Sequence, residues 1–313
     1  MRGPRCKIEF RVAVYHIFSR VVDRLFKFDD ATKDAFRDLI WKVATFSGVE
    51  VITYAIMSNH FHILVRVQPK WTTVDEEEVK KRVGYLYGAA KKQWLTNKLN
   101  HLHEKGDLEG IKALLDVYRA RMNDVSEFMK TLKLRMTISF NDAHHRVGTL
   151  WEGRFGSILL EDTPNSELLR LTAAYIDLNS VRAKIVRDPQ KYSWSGFGNT
   201  FLTKAKRAEK AQQGIASLYQ GMPGKELEEY GKLLRARAFK KGMNGQEDHP
   251  GLHPLTCLHV RNDTLMRGRA IGSQAFIKDA LGSRPAGGVT PCHNGKDGPI
   301  LVAGCLTRRK THV

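Results

Sequence analysis

"VEVITYAIMSNHFHILVRV", residues 49–67, is the stretch on which the fold turns. Two β-branched and aromatic runs, 49–58 and 60–67, are broken only at Ser58-Asn59, so they read as neighbouring strands joined by a tight connection, a hairpin. Alternation along the second run places His60, His62 and Leu64 on one face and Phe61, Ile63 and Val65 on the other. Two imidazoles thus share a face of an otherwise apolar strand, about 6–7 Å apart. That span lets both rings reach one cation, and it equally suits a pair of half-exposed histidines.

The flanking sequence supplies the rest of a sheet. Residues 10–21, "FRVAVYHIFSRV", read as a strand. Asp29 or Asp30 can cap a helix whose apolar positions Phe36, Leu39, Ile40 and Val43 repeat at helical spacing and stop at Gly48. Pro69 closes the block, residues 73–141 read as mostly helical, and residues 155–161 turn extended. A helix then follows, with Thr163 as expected N-cap, Pro164 in first position and Leu168, Leu171, Tyr175 and Leu178 on one stripe. Strand, helix, strand, strand, helices, strand, helix is the order of an α+β sandwich, an antiparallel sheet with helices on one face, ending near residue 200. Residues 201–245 read as a charged helical linker. Residues 246–313 read as a basic extension in which "IGSQAFIKDAL" (271–281) is a short helical unit, either a small DNA-binding element or part of a solubilising tail, and the last thirty residues are expected to be disordered.

Composition narrows the function classes. The chain has 313 residues and 51 Lys and Arg against 33 Asp and Glu, a formal charge of +18. Residues 200–313 hold 19 of the basic and 9 of the acidic residues, so both halves are basic. Such an excess suits a polyanionic partner, nucleic acid first among them, though basic surfaces also serve solubility. No run approaches the ~18 apolar residues of a membrane span, and the first ten residues lack a signal-type apolar core, so a cytoplasmic location is expected. Cys6, Cys257, Cys292 and Cys305 are scattered without CxxC pairing, which fits neither a zinc ribbon nor a disulfide framework.

A further polar pair lies on the last helix, where Tyr175 and Asn179 stand at i and i+4. Either they are a rim tyrosine and a helix cap, or they face the histidines. Taken in order, "YHIFSR", "AIMSNHFHILV", "LKLRMTISFN", "HRVGTLWEGRF" and "AAYIDLNSVRAKIVRDPQKYSWSG" resemble the signature blocks of the single-tyrosine HUH transposases. Within that family they are most similar to the REP-associated tyrosine transposases, relatives of the insertion-sequence-200 type. The resemblance spans residues 8–200, with the helical insertion at 73–141 longer than in compact members.

The resemblance implies a ferredoxin-like fold, akin to RNA-recognition domains, and a homodimer acting on single-stranded or hairpin DNA. It further implies that His60 and His62 hold a divalent metal, Mg²⁺ or Mn²⁺, with Asn179 as third ligand, and that Tyr175 is the nucleophile forming a 5′-phosphotyrosine. No nucleotide cofactor is then needed. Where the family has Asn-Pro after the tyrosine, this chain has Asn179-Ser180. Arg146, Arg154, Arg182 and Lys184 are candidates for DNA contact, as is Trp151 for base stacking, against solvated or core roles for each. Two other readings remain: a hairpin-binding regulatory protein without the chemistry, and an RNA-recognition-type module, which predicts exposed aromatics on the sheet.

Overall fold

Strand β1 (Ala13–Arg20) lies inside the sheet, paired antiparallel with β3 (His60–Val67) on one side and β4 (Gly156–Leu160) on the other. The structure, a computed structural model, describes residues 6–25, 27–202, 205–238, 269–281, 289–295 and 298–303. Strand β2 (Val49–Ile56) pairs antiparallel with β3 across the expected short turn, where Met57 N–H donates to the His60 carbonyl at 2.8 Å. The order β2-β3-β1-β4, with helix α1 (Asp30–Ser47) linking β1 to β2, is the split βαβ arrangement of the ferredoxin-like fold. The chain is thus α+β, as its sequence pattern indicates.

Alternation builds two cores. On one face Tyr15, Ile17, Phe61, Ile63 and Val65 pack beneath α1 and α5 (Val125–Ala143). Each fully buried side chain of this size contributes about 1.5–3 kcal/mol. Asp29 caps α1 by accepting from Thr32 N–H, and Gly48 ends it at φ 64°, packed against Arg82 and Asn123. Helices α2 (Glu76–Tyr87), α3 (Ala89–Glu104) and α4 (Leu108–Arg119) extend this side.

Helices cover the opposite face too, which the pattern of one-faced packing does not anticipate. Val14, Leu64, Ile158 and Leu160 meet α6 (Glu167–Asp177), α9 (Ala205–Ala216) and α10 (Glu226–Ala238). Ile215, Leu218, Tyr230 and Leu234 are buried there, so α9 and α10 form part of a second core rather than a solvated linker. Their charge-rich sequence conceals the few apolar positions that do this. Residues Asn179–Arg182 and Gly196–Asn199 form two single-turn helices, α7 and α8. Helix α6 begins later than Pro164 suggests: Ser166 is its cap, accepting from Leu169 N–H, and Asn165 sits at φ 53° in the preceding turn.

The basic extension carries strands as well as helix. β5 (Ala270–Gly272) runs parallel to β4, and β7 (Gly298–Ala303) and β6 (Val289–Gly295) follow it, giving a seven-stranded sheet where a disordered tail is expected. The pattern Gly272-Ser273-x-x-Phe276 serves to clasp. Ser273 donates through N (2.6 Å) and Oγ (2.8 Å) to the Glu161 carboxylate, and its Oγ accepts from Phe276 N–H at the start of α11 (Gln274–Leu281). A Cβ on Gly272 would strike Phe276 and Glu161. Residues 246–268, 282–288, 296–297 and 304–313 of the extension lie outside the described residues.

Candidate active site

The second face of the sheet gathers the polar residues at one end. In the β1–β3 register Phe18 stands opposite His62 and Arg20 opposite His60, with His16 one step diagonal to His62. His60 and His62 have ring centroids 5.3 Å apart, with planes at 89°. Tyr175, on α6, lies edge-on to both His62 (5.9 Å) and His16 (6.1 Å) and is 7% exposed. The strand thus brings the two histidines, and the helix the tyrosine, to one point.

Their environment sets their charge. Burial pushes the His60 imidazole down to about 4, helped by the Arg20 guanidinium, and pushes His62 well below its ordinary value, helped by His16 and the nearby cations. Both rings are therefore neutral at physiological pH, the form that binds metal. Each has its Nδ1 engaged: His60 with Asn59 Oδ1 at 2.7 Å and His62 with His16 Nε2 at 2.9 Å. Nε2 is left on each ring.

Asp177 fixes the helix that carries the tyrosine. It is fully buried two residues past Tyr175. Its Oδ2 accepts from Thr53 Oγ1 (2.8 Å) on β2 and Tyr230 Oη (2.6 Å) on α10, and its Oδ1 accepts from Phe197 N–H (2.9 Å) on α8. Burial raises its carboxyl to about 6 despite these donors. The sequence offers one signal of this anchor, an aspartate inside the apolar run "LTAAYIDL", which the reading of the helix as a Tyr175–Asn179 face leaves aside.

The other expected site residues divide. Arg182 does reach the centre, its Cζ 4.3 Å from the Tyr175 ring centroid. Asn179 follows one turn after Tyr175 and donates through Nδ2 to the Tyr175 (3.0 Å) and Ile176 (3.1 Å) carbonyls, bonds in which its Oδ1 takes no part. Lys184, at φ 57°, is exposed in the turn just beyond. Arg154 is exposed next to β4. Arg146 is spent locally, donating to Asn141 Oδ1 and the Thr149 carbonyl.

Trp151 is a correction: it is no stacking platform. It is 6% exposed, on the far side of the sheet, ringed by Phe28, Phe36 and Phe61, and its Nε1 donates to the Lys133 carbonyl at 3.1 Å. No face of the indole is left for a base. Arg20 is the residue that the sequence reading missed, although "YHIFSR" contains it, two residues beyond Phe18 on the face of the histidines. An RNA-recognition platform is also excluded over most of this face, because α6, α9 and α10 cover it. Among the described residues no three of His, Cys, Asp or Glu cluster to hold a metal. Nor is any helix among them long and apolar enough to cross a membrane.

A family-model match agrees with the resemblance read from the sequence. Residues 10–106 match the family model described as IS200-like transposase. Among solved structures, a REP-associated tyrosine transposase bound to a REP hairpin shares 14% identity, covering 64% of this chain and 85% of that one, with a TM-score of 0.40. A candidate transposase from Deinococcus radiodurans R1 shares 17% identity over 55% of this chain and 92% of that one, with a TM-score of 0.26. No protein of curated function matches the sequence. Processing of DNA is the activity class that the family match supports.

Proposed function

We propose that the chain is a metal-dependent DNA transposase that cuts and rejoins single-stranded or hairpin DNA through a covalent 5′-phosphotyrosine at Tyr175. The observation that carries this reading is the placement of Tyr175 5.9 Å, ring to ring, from a neutral, buried His62 that pairs with His60 on the same strand. A binding protein has no use for a tyrosine set edge-on to a buried, neutral imidazole. The basic surface and the match over residues 10–106 support the same class of partner.

The donor set fits a hard divalent ion. His60 and His62 would hold it through Nε2 and Asn179 through Oδ1, and Mg²⁺ or Mn²⁺ suits such a mixed, partly open set. When bound, the ion supplies Lewis-acid polarisation of the scissile phosphate and neutralises its charge. The rest is the work of side chains. Arg20 and Arg182 draw the phosphodiester to the tyrosine, and Asp177 holds α6 so that Tyr175 meets it at a fixed angle. Tyr175 Oη attacks phosphorus, the bond from phosphorus to the 3′ oxygen breaks, and the phenolic proton leaves to water while the 3′ oxygen gains one. A phenol with ordinary pKa near 10 is a fair leaving group, so a second 3′-hydroxyl can attack the phosphotyrosine and restore Tyr175. Two copies of the chain would then exchange ends without a nucleotide cofactor.

The test is incubation of the protein with Mn²⁺ and end-labelled single strands containing hairpins, followed by a denaturing gel. An adduct that appears with the wild type and is absent with Tyr175→Phe supports the reading. Hairpin binding with no adduct, over a broad set of hairpins and with both metals, overturns it in favour of a DNA-binding regulator.

A further inference from the structure

Which ring nitrogen of a histidine can face a cation depends on what the other nitrogen does. Asn59 donates through Nδ2 to the Arg24 carbonyl at 3.0 Å, which orients its amide and turns Oδ1 toward His60 Nδ1, 2.7 Å away. A carboxamide oxygen only accepts, so His60 Nδ1 carries the proton. A neutral ring has one proton, hence His60 Nε2 bears the lone pair.

At His62 the partner is a second imidazole. His62 Nδ1 and His16 Nε2 are 2.9 Å apart, and one proton lies between them. If His16 supplies it, His62 must keep its own proton on Nε2 and can hold no metal. If His62 supplies it, Nε2 has a lone pair and His16 carries its proton on Nδ1. Arg20, opposite His60 in the β1–β3 register, and Arg182, 4.3 Å over the Tyr175 ring that meets His62 edge-on, bring positive charge beside His62 and favour the second arrangement, because a cation is better faced by a lone pair than by an N–H. His16 is fully buried and T-shaped against Tyr175, so it cannot swing away to solvent.

We infer that Asn59 and His16 are positioning residues that hold His60 and His62 in the Nδ1–H form, leaving both Nε2 lone pairs for one divalent cation. This rests on the proposed metal-dependent reading. It gives His16 a role distinct from packing: it orients the ring of His62 and selects its tautomer, as outer partners of metal-binding histidines do. Because the proton on each Nδ1 is already in place, binding of the cation displaces none from these rings.

The tautomers can be read without any metal. In full-length protein labelled with ¹⁵N-histidine, long-range proton–nitrogen correlation spectra are expected to show a protonated Nδ1 and an unprotonated Nε2 at both His60 and His62. His16→Leu, which removes the acceptor, is expected to move His62 toward the Nε2–H form. It should also weaken binding of Mn²⁺ alone, followed by electron paramagnetic resonance of the free ion, by about 10- to 100-fold. His16→Gln, whose amide oxygen accepts, should keep most of the affinity, as should Asn59→Asp. A protonated Nε2 at either histidine of the wild type overturns the inference. So does a folded His16→Leu with unchanged Mn²⁺ affinity. Wild-type tautomers as stated, together with no Mn²⁺ binding, uphold the tautomer assignment and overturn the metal-dependent reading instead.

Discussion

Replacing Asp177 by Asn should change how stability depends on pH, and the structure fixes both the sign and the size. The carboxyl stands at about 6 in the folded chain because it is fully buried, against an ordinary value of 3.8. The folded state therefore holds the proton more tightly than the unfolded one. Stability from this group is complete below pH 3.8 and is lost as pH rises to and through 6. A shift of 2.2 units corresponds to about 3 kcal/mol, of which somewhat under half falls between pH 5 and pH 7. The asparagine variant lacks the term. Urea titrations of wild type and Asp177→Asn at several pH values between 4.5 and 7 should show the wild type losing ground to the variant by about 1.5–2 kcal/mol on the way up. His60 and His62 act in the opposite direction, but they are present in both proteins and cancel in the difference. A flat difference, or a wild type that gains on the variant as pH rises, would show that the hydrogen bonds from Thr53, Tyr230 and Phe197 balance or outweigh burial, and the argument for the anchor would fail.

Four further outcomes are expected. In the Asp177→Asn background, stability should fall as pH drops from 6.5 toward 4, because His60, depressed to about 4, must take up a proton on unfolding; denaturation at a series of acid pH values measures this, and His60→Gln should flatten part of it. Trp151→Ala should cost about 3–5 kcal/mol in stability by the loss of a core indole, whereas Trp151→Phe, more stable than Ala, should bind hairpin DNA as the wild type does; a filter-binding assay that shows selective loss of DNA affinity with Phe would restore a stacking role. Gly48→Ala should destabilise by about 1–2 kcal/mol or more, since φ 64° is strained for any side chain and Arg82 and Asn123 occupy the space a Cβ needs; thermal denaturation measures it. Arg182→Ala should lower the yield of the Tyr175 adduct about 10-fold or more while leaving the melting temperature within about 2 °C, because the residue is a half-exposed cation over the tyrosine ring.

How much of this was legible beforehand follows the range of the interactions. The β2–β3 hairpin, the shared face of His60 and His62 and the stripe that carries Tyr175 are local patterns of period two or 3.6, and they stand in the structure where the pattern puts them. The anchor at Asp177 joins partners 124 and 53 residues away, Thr53 and Tyr230, and no periodicity marks such a pairing. Trp151 lies at a turn next to basic residues, a setting shared by base-stacking and core aromatics, and only the arrival of Phe28, Phe36 and Phe61 decides between them. Thr163-Pro164 is as good a cap signal as Ser166, and the left-handed Asn165 between them sets the start of α6 at the later one. The charge of α9 and α10 points to a solvated linker, yet burial of Ile215, Tyr230 and Leu234 is what fixes their place.

The pairing of β4 with β5 has a bearing on how the chain is made. Leu159 and Leu160 meet Ala270 and Ile271, so the outer edge of β4 stays bare until about 110 further residues have left the ribosome. A nascent or prematurely ended chain already owns the histidines and the tyrosine but presents an uncapped hydrophobic strand, the kind of edge that recruits another copy. The closing strands thus act as a seal on the product of translation, and a fragment stopping near residue 200 should aggregate even though every residue of the candidate site is present in it.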